Sequence, residues 1–202
     1  MTTYYRNVYL FSEIYLQEIT QQPEDTEILA SLTTLKEYRE FARTATIQEW
    51  KESFVHEVLY ALRFNIKAEN ERLTLLYPVG NMETPLTLCY VLLPTEDLDN
   101  TTMGRNWAEK VIRSLRHHNL KWGLLTNGEQ WRMYHLDEST PYEIFLEINL
   151  AAILSDSASQ AYQIFHKFMK VENFTTGEQG QCRLDVFKKE SLAKIDYIES
   201  EL

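Results

Sequence analysis

The sequence predicts an α/β (α+β) domain in which a mixed β-sheet is flanked by helices. Three observations lead there. Residues 85–93 (PLTLCYVLL) are an almost unbroken apolar run, as a strand covered on both faces requires. Asn127-Gly128 separates two apolar-rich runs, the strongest short signal for a hairpin. Segments with apolar residues at helical spacing stand before, between and after these strands, so helices and sheet belong to one layered structure.

Taken in order, residues 7–19 (NVYLFSEIYLQEI) carry Leu10 and Ile14, and Phe11, Tyr15 and Ile19, at helical spacing, and residues 21–25 break that helix. A second helix has Ile28, Leu32, Leu35 and Tyr38 along one stripe. Thr46 and Glu49 form a capping box, each side chain satisfying the other's free backbone N–H. The helix they start carries Ile47, Trp50, Phe54, Val58 and Leu62 on one face. Residues 72–79 and 85–93 read as strands, 94–102 as a polar loop, and 105–119 as a helix with Trp107, Val111 and Leu115 inward. Residues 121–126 and 129–135 form the hairpin, with positive φ expected at both Asn127 and Gly128. A strand over 142–148 and helices over 158–169 and 185–201 complete the chain, which has no internal repeat.

A chain of 202 residues, 44% hydrophobic and 12% aromatic, can bury a sizeable core, which excludes disorder. Its two cysteines, Cys89 and Cys182, make no metal or disulfide pattern and read as small buried hydrophobes. No apolar run reaches membrane-spanning length and no leader-like segment opens the chain, so a cytoplasmic protein with no membrane partner is expected. The net charge of −10 argues against a general nucleic-acid coat protein. Yet the segment from Arg105 to Arg132 holds six cations against two carboxylates, a local +4 that leaves −14 elsewhere.

Residues 122–134 (WGLLTNGEQWRMY) resemble the "wGiLTNGxxWrlY" signature of restriction-endonuclease-like domains in type I motor subunits and large type II enzymes. Other pieces are similar in the same order. Residues 10–16 (LFSEIYL) resemble the "LFSexYL" start of the type II group with fused endonuclease and methyltransferase, and residues 142–150 (YEIFLEINL) its "yyEvdL" strand. Residues 161–174 and 184–202 resemble the two helices that follow. The resemblance implies a PD-(D/E)XK fold, with an N-terminal helical extension over 1–45, a nuclease-like core over 46–150, and C-terminal helices over 151–202. It also implies that the chain is a fragment leading toward methyltransferase and target-recognition regions of a restriction-modification, phage-defence protein, with DNA as partner.

In that family an Asp on one strand and a Glu on the next bind Mg²⁺, which polarises the scissile phosphate. A Lys two residues after the Glu shares its strand face. Here Pro94 and the Asp97-Leu98-Asp99 loop fall where the family's trailing "p…DLD" sits, which puts Val91 at the Glu position and Leu93 at the Lys position. Asn81 and Glu83 lie where the first acid is expected, and Glu57 resembles the helix acid that points at the site. The resemblance thus implies a degenerate nuclease with no resident metal. The DNA contact is expected from Lys110, Arg113, Arg116 and His117 on the outward face of the helix over 105–119. An active Mg²⁺-dependent endonuclease would need carboxylates relocated to Glu83, Glu96 or Asp97, and the acidic balance admits a protein-interaction module without any DNA role. Adjacent His117 and His118 point about 100° apart on a helix and cannot chelate as a pair. No nucleophile elbow, P-loop, dinucleotide fingerprint or zinc spacing is present.

Overall fold

Side chains along the apolar run at 85–93 alternate between two hydrophobic layers, and that alternation organises the molecule. In β4 (Thr87–Val91), Cys89 and Val91 enter one layer, while Leu88, and Leu92 just past the strand, enter the other. The structure, a computed structural model, describes residues 4–21, 26–42, 46–100, 106–137, 141–177 and 180–200.

The sheet has seven strands: β1 (Tyr5–Val8), β2 (Asn65–Ala68), β3 (Leu73–Tyr77), β4, β5 (Trp122–Thr126), β6 (Gln130–His135) and β7 (Phe145–Asn149). Their spatial order is β1-β7-β6-β5-β4-β3-β2. Only β4 and β5 pair in parallel, joined through α5 (Trp107–His118); the other pairs are antiparallel. The expected mixed sheet with flanking helices is therefore present, with β4 interior and buried on both faces.

The larger layer packs one sheet face against α1 (Glu13–Thr20), α2 (Thr26–Ala42), α6 (Leu150–Asp156), α7 (Ser159–Met169), α8 (Arg183–Ser200) and the helix that starts at the capping box. That helix runs from α3 (Ile47–Trp50) through a π-helical turn (Lys51–Val55) into α4 (His56–Ala61). The box is formed as predicted: Thr46 N–H donates to Glu49 Oε2 at 2.8 Å, and Glu49 N–H to Thr46 Oγ1 at 3.4 Å. Trp50, Phe54, Val58 and Leu62 are buried along the helix. Among the described residues the second layer is covered by one helix, α5, through Trp107, Ala108, Val111, Ile112 and Leu115. Gly123 permits that approach, since a Cβ there would stand 2.9 Å from a Leu115 methyl.

Several expectations need correction. Residues 7 and 8 belong to β1, not to a helix. Backbone pairing with β7 claims them, the chain turns at Tyr9 (φ 58°), and α1 starts only after Ser12, whose Oγ caps Tyr15 N–H at 3.2 Å. Ile14 and Tyr38 are exposed, while Leu16 and Arg39 occupy buried positions instead. At the hairpin only Gly128 has positive φ, because Asn127 Oδ1 accepts from the N–H groups of Glu129 and Gln130 and builds a wider turn. The strand over 142–148 starts at Phe145, and β2 and α6 were not predicted. Arg105, residues 22–25, 101–102 and 201, and the side chain of Ile47 lie outside the described residues.

Candidate functional site

In a sheet with a parallel pair, ligands gather outside the carboxyl ends of the parallel strands, where the connecting loops diverge. Here those ends are Val91 to Leu93 and Thr126 to Asn127. Val91 is buried in the larger layer, its N–H bonded to the Arg72 carbonyl at 2.7 Å. Leu93 N–H donates to Glu96 Oε2 at 2.7 Å, and Arg72 holds the same carboxylate oxygen at 2.7 Å. Glu96 is thus committed to closing the strand end. The nearby charge on the helical side is Lys51, whose Nζ donates to the Glu71 carbonyl at 2.9 Å; burial holds its pKa below the usual lysine value. Burial also pushes the Cys89 thiol up to about 12, despite the Lys51 charge, which keeps it an inert thiol.

Asn81 and Glu83 do not join this place. The β3–β4 connection puts them beside the start of β4, whereas Val91 lies past its fourth ladder pair, next to Arg72 and Leu73 at the start of β3. Both are exposed, and Asn81 Oδ1 accepts from Glu83 N–H at 2.8 Å. Asn81 instead lines a cleft of about 570 Å³ with His118, Lys121, Cys182 and Asp185. Glu57 is half-buried on the flank of α4, with no ion pair among the described residues. Across the ladder from Val91, the position suited to a first acid falls at 72–74, where Arg72, Leu73 and Thr74 stand. No group of three or more His, Cys, Asp or Glu side chains able to hold a metal ion occurs among the described residues.

On α5 the apolar stripe faces in and the cations face out, as a one-sided helix requires. Arg116 and His117 are exposed. Arg113 is also exposed, but Glu109 holds it at 2.7 Å across one turn. Lys110 is half-buried with its Nζ 4.5 Å above the Trp107 ring, which also carries the Arg72 guanidinium at 5.0 Å. Neighbouring His118 Nε2 lies 2.9 Å from Glu69.

Arg132, counted from sequence among the basic segment's charges, is not on that surface. It is 3% exposed, and its Nε and Nη2 both donate to Glu147 Oε2. Its Nη1 also reaches Asp99 at 2.9 Å and the Tyr134 hydroxyl at 3.2 Å. Arg6 from β1 closes the network, 3.0 Å from Asp99 and 3.4 Å from Glu147. Burial works against the Arg132 charge, but Tyr134 and Glu147 more than offset it and hold the guanidinium protonated. Burial likewise opposes Asp99 ionisation, and the two guanidinium groups outweigh it, holding the carboxyl below its ordinary range. Sequence reading missed this set because its members come from four separate segments. The available signal was that Arg132 and Glu147 each sit two residues from another inward-facing position on the same strand.

No helix among the described residues is long and apolar enough to cross a membrane. Compared with known proteins, the chain matches no family model, no curated protein and no solved structure.

Proposed function

We propose that this chain is a restriction-endonuclease-like domain that has lost metal-dependent cleavage and acts as a DNA-contacting or scaffolding part of a restriction-modification protein. The methyltransferase and target-recognition regions implied by the resemblance are its partners in that protein. The reading is carried by the strand end at Val91 and Leu93. Mg²⁺ takes hard oxygen ligands. Here the Glu and Lys positions are aliphatic, the facing strand offers Arg72, and the Lys51 ammonium donates to the Glu71 carbonyl beside it. These residues do not fit a Mg²⁺ ion, so no cleavage step runs through this place. The mixed sheet and the outward cations of α5 support the DNA side of the reading.

Supercoiled plasmid incubated with millimolar Mg²⁺ or Mn²⁺ should stay intact. A short duplex should be retarded in a gel at low salt only, because phosphate contacts are salt-dependent. Replacing Arg113 and Arg116 by Ala should lower the salt slope by about one unit for each phosphate that is no longer neutralised. Metal-dependent nicking that disappears in Glu83→Gln would establish a relocated active site instead. Intact plasmid together with no retardation would favour the protein-interaction module.

A further inference from the structure

The half of the second sheet face that α5 leaves uncovered has a polar floor. On it β6 and β7 place Gln130 opposite Asn149 and Arg132 opposite Glu147, and β1 places Arg6 opposite Glu147. Directly paired residues share a face, and alternate residues on a strand do too, so these side chains form one strip. Gln130 and Asn149 are the common wall of two depressions at the carboxyl end of the parallel strands. One, of about 410 Å³, adds Tyr5, Arg6, Asp99 and Glu147; the other, of about 370 Å³, adds Asn127, Glu129 and Ser155.

The hydrogen-bonding capacity of this wall is only partly used. Asn149 Oδ1 accepts from Ala152 N–H at 2.9 Å, and among the described residues its Nδ2 donor has no partner. Among the described residues the Gln130 side-chain amide has no partner, so it offers one acceptor and two donors. The side chain of Arg6 is 47% exposed beside them. Charge in the depression is balanced, with Arg6 and Arg132 set against Asp99 and Glu147. A phosphate has little to gain from such a balance. A neutral planar group with adjacent donor and acceptor has more, because a Gln amide matches the N6-H and N7 of adenine in a bidentate pair.

We propose that this polar strip binds an unpaired adenine base, with Gln130 reading its edge, Asn149 Nδ2 adding a donor and the Arg6 guanidinium lying against the ring. The identification of a base rests on the DNA-contacting reading above, but the contact is distinct from the cationic face of α5. Stacking and edge bonding carry it, so it keeps its strength when salt removes phosphate contacts.

Adenosine is the probe, titrated into the whole chain at low and at high salt and followed by the side-chain amide resonances of Gln130 and Asn149. Saturable shifts at millimolar adenosine, unchanged by salt, are expected. Gln130→Ala, with its thermal unfolding checked against the parent, should weaken binding about tenfold, the loss of one bidentate pair. Absence of shifts, or equal affinity in Gln130→Ala, overturns the proposal. The same samples run with duplex DNA separate the two readings. Duplex retardation without adenosine shifts sinks the base site alone, and adenosine shifts without retardation uphold it and sink the α5 contact.

Discussion

The two faces of the sheet are built on different principles. One lies under every described α-helix except α5 and is sealed by large apolar side chains, among them Trp131, Phe54, Phe165 and Phe168, all fully buried. The other has α5 over β4 and β5, and beyond it Tyr134 and Phe145 give way to a floor of ion pairs and amides on β6, β7 and β1. Apolar burial is non-directional and tolerates many arrangements, whereas a buried ion pair stabilises only when its geometry is satisfied. The first face holds the fold by volume, and on the second the geometry is fixed pair by pair.

The sharpest test of that contrast is on the sealed face. Phe54→Ala leaves a cavity under the sheet and should cost about 3–5 kcal/mol in urea unfolding. A loss below about 1 kcal/mol would mean that this layer collapses around the gap and is not the main source of stability.

On the polar face the expected signature is non-additivity. Glu147→Ala leaves Arg132 buried with Asp99 as its remaining carboxylate partner, and should cost about 3 kcal/mol. Replacing both, with Arg132→Met and Glu147→Leu, should cost clearly less than the sum of the single changes, as a double-mutant cycle reads directly. Additive losses would show that the pair is not a coupled unit.

The smallest effect is a pH dependence. Asp99 has a folded pKa held below its unfolded value, so its contribution is complete above the unfolded value of about 3.9 and fades as pH falls through the folded one. The urea midpoint of the parent chain should therefore drop more steeply than that of Asp99→Asn as pH is lowered below about 4. Parallel curves would remove Asp99 from the network.

How far sequence reading reached follows the same division. The capped helix, the buried strand at 85–93 and the amphipathic α5 were readable because each is encoded by a local pattern of caps or periodicity. β1 and β2 are four residues each and carry no apolar alternation that marks an edge strand. The turn at Asn127 was readable as a turn but not as its type, since a side-chain amide stands in for backbone pairing there. For the site, β4 ends at Val91 and Leu93 stands two residues past it. Asn81 and Glu83 stand at the other end of β4, because an antiparallel connection sets the beginning of one strand, not its finish, beside the finish of the next. The Arg6–Asp99–Arg132–Glu147 set joins residues up to 141 positions apart and has no local signature.

An open sheet has two free borders, and each is a row of unsatisfied backbone groups that another chain can extend. Here both borders are short. β2 ends after Ala68 with Lys67 on it, and β1, with Arg6 on it, ends just before Tyr9, which takes a left-handed conformation. Charge, brevity and a kink make each a poor template for fibre-like stacking. The outermost strands thus act as bumpers for β3 and β7, the five-residue strands behind them.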